Sequence, residues 1–264
     1  MSQPDDAPTR AHDRPAEEMI EFVGGAGAKL SGILHRPVEK AKGSVLLAHC
    51  FTCSKDIHTM SRLANALSDE GYAAFRFDFT GLGESGGDFA EKTLSGNVSD
   101  VVRAATTLIE MGFGPCVLVG HSLGGAASIL AASKLKTVRA IVTIGAPSRA
   151  THVRHLFADS EEELLNEGRA DVTIGGRTFE LEAGFLHDLH THDVLEAAAE
   201  LNRPYLVIHA DDDTIVPVTE GEALYEAASE PKTFVRYADG GHLFGDRQHA
   251  NQMAKDLVDW LHET

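Results

Sequence analysis

A chain of 264 residues, 43% hydrophobic and 24% charged, has the length and balance of one large soluble domain or two small ones. Its net charge of −17, from 40 acidic and 23 basic residues with no Lys/Arg cluster, argues against nucleic acid or an anionic membrane as partner. No apolar run approaches the roughly 20 residues of a bilayer span, and three cysteines are too few for a disulfide scaffold, which points to a reduced, cytoplasmic setting.

In chain order, residues 1–17 lack an apolar core. They are therefore no secretory signal, and a disordered polar tail is expected ahead of a domain over residues 18–264. EMIEFVGG and AKLSGILHRP predict a leading hairpin joined through Gly24, Gly25 and Gly27. GSVLLAH follows as a strand without polar alternation, as in a sheet covered on both faces. Ile57, Met60, Ala64 and Leu67 then recur at helical spacing, and Gly71 supplies the stop.

The cycle repeats. YAAFRF reads as a strand, and Val98, Val101, Val102, Ala105, Leu108 and Ile109 mark a helix face ending at Gly112. PCVLVG, SLGGAASILAASKL and VRAIVTIG predict strand, helix and strand. Near the end, YLVIHA and TFVRY are strands flanking a helix that opens with Thr219 and Glu222 in capping-box spacing. The final helix carries Ala250, Met253, Ala254, Leu257, Val258 and Leu261 on one stripe. Such alternation predicts a mostly parallel sheet with helices on both faces.

Residues 149–192 break the rhythm. They hold an acidic short helix, DSEEELLNEG, and a hairpin, DVTIGGRTFEL, turning at Gly175-Gly176 between alternating Val172, Ile174, Phe179 and Leu181. The segment is expected as a cap over a site, because a free-standing unit of that size is hard to stabilise.

LVGHSLGGA contains Gly120-His121-Ser122-Leu123-Gly124, a G-x-S-x-G pentad between an apolar strand and a small-residue helix. A serine on that sharp turn is a candidate nucleophile, and it needs a base to take its proton. The base should follow it in sequence, just past a strand. His249 and His262 fall within the last predicted helix, whereas His242, in YADGGHLFGD, occupies a Gly-rich loop. An acid must orient that imidazole. HADDDTIVP offers Asp211, Asp212 and Asp213 after a strand, and strand-end geometry does not choose among them.

Ser122, an Asp before TIVP and His242 together resemble the α/β-hydrolase fold superfamily. The resemblance implies an α/β fold with a mostly parallel, roughly eight-stranded sheet, helices on both faces and a small cap insertion. In the superfamily's D-x-x-V-P pattern the acid stands four residues before the proline, which points to Asp213, with Asp212 as runner-up. FDFTGLGES is similar to its D-x-x-G-x-G-x-S loop, in which Asp78 has a structural role. The loop that commonly reads His-Gly-x is here His49-Cys50-Phe51, so the resemblance implies an oxyanion hole made by the backbone amides of Phe51 and Leu123. More narrowly, AHCFTCSKD, FRFDFTGLGESGGDFA, GHSLGGAA and TIGAPS resemble the hydrolase half of bacterial proteins fused to an osmotically-inducible-C-type domain. The likeness runs from about Leu34 through the last helix, without the fused domain, so that domain's peroxide chemistry is not carried over.

These residues support an ester hydrolase that works by acyl transfer, without cofactor or metal, on a small-molecule ester; thioesters and amides stay open. An aspartate nucleophile is excluded by the serine at position 122. A pocket that binds a ligand and hydrolyses little, in a stress-linked protein, is the alternative on the same fold. Cys50 and Cys53 stand in C-x-x-C spacing, and a thiol route predicts loss of function when both become serine. Cys116 reads as core packing. His187, His190, His192 and Asp193 are zinc-binding types, but offsets of three and five do not bring the imidazoles to one helix face, so a solvated cap segment is expected there.

Overall fold

The computed structural model describes residues 16–114 and 116–264. The tail expected over residues 1–17 lies outside the described residues through position 15, while Ala16 and Glu17 already belong to the first strand.

β1 (Ala16–Val23) and β2 (Lys29–Arg36) form the antiparallel hairpin, in register from Ala16 opposite Arg36 to Val23 opposite Lys29. β3 (Ser44–Ala48), α1 (His58–Asp69), β4 (Ala73–Phe77), α2 (Leu94–Glu110), β5 (Cys116–His121), α3 (Leu123–Ala132) and β6 (Val138–Ile144) then alternate as the sequence pattern predicts. The sheet resumes at β9 (Tyr205–Ala210), followed by α7 (Val218–Ala227), β10 (Lys232–Tyr237) and α8 (Arg247–Glu263). Between β6 and β9 lie a 3-10 segment (Ala150–Ser160), α4 (Glu161–Glu167), the hairpin of β7 (Arg169–Ile174) and β8 (Arg177–Glu182), α5 (Ala183–Leu189) and α6 (Val194–Ala199). Gly175 and Gly176 have φ of +59° and +77°, the pair of positive values that a two-residue type I′ hairpin turn demands.

The eight strands run in the order β1-β2-β4-β3-β5-β6-β9-β10, antiparallel through β2–β4 and parallel from β4 to β10. Strand alternation sorts the core. Val45 and Leu47 of β3 pack under α1 and α8, while Leu46 and Ala48 point to the face covered by α2 and α3. All five residues of β3 and all six of β5 are buried, as the unbroken apolar runs require. After β3 the chain crosses to β4 on one side, then returns to β5 on the other. That reversal opens a crevice at the carboxyl ends of β3 and β5, where ligands bind in open α/β sheets.

The capping box expected at Thr219 and Glu222 does not form. α7 starts two residues earlier than that box requires, with Pro217 at φ −55° in the cap position and no side-chain cap, which leaves Thr219 inside the first turn. Glu222 instead accepts a hydrogen bond from Arg236 Nη1 at 2.7 Å.

Candidate active site

Ser122 sits alone between β5 and α3 with φ +54° and ψ −125°. A non-glycine residue held in that region costs of order 1–3 kcal/mol, and such residues concentrate where chemistry is done. The surroundings enforce the corner. Ser122 N donates to Ile144 O at 2.9 Å. A Cβ at Gly120 would lie 2.3 Å from Gly124 O, and one at Gly124 would lie 2.3 Å from His49 O. Strand β5, the first turn of α3 and the loop after β3 are thus pressed together, and only glycine fits at the two contacts.

The loop after β10 brings His242 to the same end of the sheet. Its Nδ1 donates to Asp213 Oδ2 at 2.8 Å. The other carboxylate oxygen, Oδ1, accepts from Ile215 N at 2.9 Å and Val216 N at 2.8 Å. Burial pushes the Asp213 carboxyl up, but the hydrogen bond and charge of His242, with those two amides, outweigh it and hold the group below the usual carboxylate range. Its two neighbours are otherwise engaged: Asp211 pairs with Arg236, and Asp212 accepts from Gly241 N at 2.8 Å. Of the three aspartates, only Asp213 meets the imidazole.

His121, the variable residue of the pentad, had no role in the sequence reading. Its Nε2 donates to the His242 carbonyl at 2.7 Å, and the two rings lie 4.8 Å apart. Burial pulls its imidazole down to about 3, so the ring is neutral and this hydrogen bond fixes its proton on Nε2. His209 does the same for the acid loop, donating from Nε2 to Val216 O at 2.8 Å.

On the loop after β3, His49 Nδ1 donates to Cys50 O at 2.8 Å and its Nε2 accepts from Phe79 N at 3.3 Å. Burial lowers this imidazole to about 4, so it too is neutral. Phe51 is buried and stacks on Phe185 of α5, centroids 4.9 Å apart. Leu123 is the first residue of α3, a position whose amide has no partner within its helix. Cys50 and Cys53, expected as free thiols, are joined as a disulfide; the tight turn sets their Cα atoms 5.3 Å apart, within bridging reach. Cys116 is buried in β5 and burial pushes its thiol up to about 12, as core packing implies.

Asp78 is fully buried and accepts from Lys55 N at 2.6 Å, Lys55 Nζ at 2.9 Å and Glu84 N at 2.9 Å. It knits the loop after β4 and stays away from the cavity that Ser122 lines. That cavity holds about 690 Å³ and is walled by Ser122, His242, Phe51, Leu156 and Ile174 among others, the last two from the cap. The cap is tied down at its far end. Asp188 accepts from Ser95 N at 2.9 Å, and Ser95 Oγ meets His192 Nε2 at 2.9 Å, so His192 joins the cap to α2. Asp193 caps α6 by accepting from Glu196 N.

Lys92 is a second residue the sequence reading missed. Its side chain is buried, its Nζ donates to Phe51 O at 2.9 Å, and burial pulls its ammonium down to about 7. The unfolded chain therefore holds a proton that the folded one releases above about pH 7. The cost of burying the charge is full below that value and is relieved as pH rises towards 10.5. Between about pH 7 and pH 9 the wild type should accordingly gain stability over Lys92→Met, by up to about 1.4 kcal/mol per pH unit, in urea unfolding. A flat or falling difference would contradict the buried, unpaired state of this amine.

A family model described as the alpha/beta hydrolase family matches residues 45–255. The solved esterase domain of a Rhodothermus marinus protein is 33% identical, with a TM-score of 0.76, and the alignment covers 93% of this chain and 97% of that one. Est1E from Butyrivibrio proteoclasticus, solved with ferulic acid, has a TM-score of 0.79 at 21% identity over 92% of this chain and 98% of that one, a likeness of fold alone. The mitochondrial palmitoyl-protein thioesterase ABHD10 of Mus musculus is 30% identical over 155 residues, 56% of this chain and 50% of that protein.

Proposed function

The chain belongs to the α/β-hydrolase family, and from that premise we propose that it is a serine carboxylesterase, acting on small to medium acyl esters through an acyl-enzyme on Ser122. The observation that carries this reading is the Asp213–His242 hydrogen bond, 2.8 Å long, at the wall of the cavity that Ser122 enters from its strained corner.

In this reading the Ser122 oxygen attacks the ester carbonyl while His242 Nε2 takes the hydroxyl proton. Asp213 holds the proton on Nδ1 and stabilises the imidazolium. The carbonyl oxygen, now negative, rests against the Phe51 and Leu123 amides. Collapse expels the alcohol, which leaves with the proton from His242. Water then adds to the acyl carbon, giving a proton to His242 that returns to Ser122 as the acid departs. No metal or cofactor enters any step. A cavity of about 690 Å³ whose walls include Phe51, Ile57, Leu156, Ile174, Ile215 and Leu243 suits an acyl chain of modest size.

A fluorophosphonate probe should label the protein rapidly, and digestion should place the phosphonyl group on Ser122. Slow or scattered labelling would favour a pocket that binds its ligand without hydrolysis. A panel of nitrophenyl esters of rising chain length should then show its highest kcat/KM at short to medium chains, with activity falling at long ones. Thioester cleavage by the same residues is a second reading, favoured by the likeness to ABHD10; the chain spans only half of that protein. Matched oxygen and thio esters of one acyl group decide between them.

The finer likeness to the hydrolase half of fusions with an osmotically-inducible-C-type domain belongs to this proposal, as does a cytoplasmic site of action. No helix among the described residues is long and apolar enough to cross a membrane.

A further inference from the structure

Lys92 poses a physical problem. A buried ammonium without a carboxylate at ion-pair distance is costly, and among the described residues Lys92 forms no ion pair. The nearest opposite charge that acts on it is Asp100. That carboxylate is committed elsewhere, accepting from Gly25 N at 2.9 Å, Thr80 N at 3.0 Å and Thr80 Oγ1 at 2.8 Å. The other titratable neighbour is the neutral imidazole of His49. What surrounds the amine is aromatic: its Nζ lies 4.9 Å from the centroid of Phe51, 5.1 Å from Phe89 and 5.6 Å from Phe79. Three ring faces stabilise a cation in place of an anion.

Within that cage the Lys92 Nζ donates to the Phe51 carbonyl at 2.9 Å. The direction of an amide N–H is set by the peptide plane that carries it. The Phe51 N–H belongs to the plane whose oxygen is Cys50 O, which His49 Nδ1 holds at 2.8 Å. The next plane carries Phe51 O, held by Lys92. Anchoring both oxygens restricts φ and ψ of Phe51 together; Cys53 N also reaches Cys50 O, at 3.4 Å, whereas Lys92 is the side chain that holds the second plane. Ammonium and amine forms both donate, so the anchor survives loss of the proton.

We propose that Lys92 is a positioning residue for catalysis: by gripping the Phe51 carbonyl it aims the Phe51 amide at the oxyanion. The inference rests on the reading of Phe51 as an oxyanion donor. Lys92 itself touches no reacting atom.

Lys92→Met keeps the length and apolar stem and removes the donor. It should lower kcat for a nitrophenyl ester about tenfold to hundredfold, below the loss from deleting an oxyanion donor outright. KM should stay within about twofold, because the ground-state carbonyl leans little on that amide. An alkyl boronic acid, which forms a tetrahedral adduct on a serine oxygen, should lose affinity in proportion to kcat/KM. Lys92→Gln, which retains a neutral donor, should recover part of kcat. A kcat within about threefold of wild type, or boronate and substrate binding weakened equally, would overturn the proposal. So would loss of the folded circular-dichroism signal in both variants, which would make the residue structural only. Ser122→Ala, run beside them, separates the two failures. If wild-type turnover does not depend on Ser122, the reading of the whole site fails; if it does and Lys92→Met is unimpaired, only the role of Lys92 fails.

Discussion

Replacing Ser122 with alanine should lower kcat on a nitrophenyl ester by about five to six orders of magnitude while leaving the fold intact. The fold survives because the corner is imposed from outside: the Ser122 amide is held by Ile144 O, and the flanking glycines make room whatever side chain stands between them. Alanine carries the same Cβ in the same strained backbone, so unfolding should move little. What disappears is the oxygen proposed to form the acyl bond. The residual rate would come from water in a cavity that still binds the ester and still offers the Phe51 and Leu123 amides. Steady-state turnover with and without the hydroxyl, together with circular dichroism, checks both halves. An alanine protein that keeps more than a few per cent of its activity would end the assignment of Ser122.

Asp213→Asn should cost about four orders of magnitude in kcat, and neither Asp211→Asn nor Asp212→Asn should approach it. The introduced carboxamide would keep its carbonyl oxygen on Ile215 N and Val216 N, where two amides already demand an acceptor. Its NH2 would then face the Nδ1–H of His242, two donors opposed. The imidazole relieves the clash by moving its proton to Nε2, where it can no longer accept one from Ser122. At the other two positions the change is milder. Asp211 lies on the exposed pair with Arg236, and Asp212→Asn retains a carbonyl that still accepts from Gly241 N. Rates of the three single variants on one ester suffice. Comparable losses for all three would mean that the acid loop is not the orienter of His242.

Much of this was readable before the structure because the signals are local. GSVLLAH is apolar without a break since β3 has helices on both sides, and Gly120 of the pentad answers a contact with Gly124, four residues on. Strand-end geometry left three aspartates open, and the resemblance to the superfamily's D-x-x-V-P pattern pointed to Asp213, the one that accepts from His242 Nδ1. The residues missed are those whose surroundings come from distant parts of the chain. In DFAEKTL, Lys92 reads as one more surface charge; Phe79 and Phe89 share its loop, but Phe51 and the carbonyl that the amine grips come from the loop after β3, and no spacing announces that. His121 occupies a position any residue can fill, and its bond to His242 spans 121 residues. The disulfide escaped because the argument from compartment and cysteine number says nothing about how tightly one turn closes. At α7, a good capping pattern lost to the proline just ahead of it, whose fixed φ starts the helix two residues sooner.

The loop that delivers His242 follows β10, an edge strand of the sheet, which among the described residues pairs with β9 alone. A polypeptide emerging from the ribosome would therefore present Ser122 well before His242, the base proposed for it, has been made. A product terminated ahead of β10 would lack both His242 and α8, whose Met253, Leu257 and Leu261 fill the core beneath β3, so neither the proposed hydrolysis nor a stable sheet is expected of it.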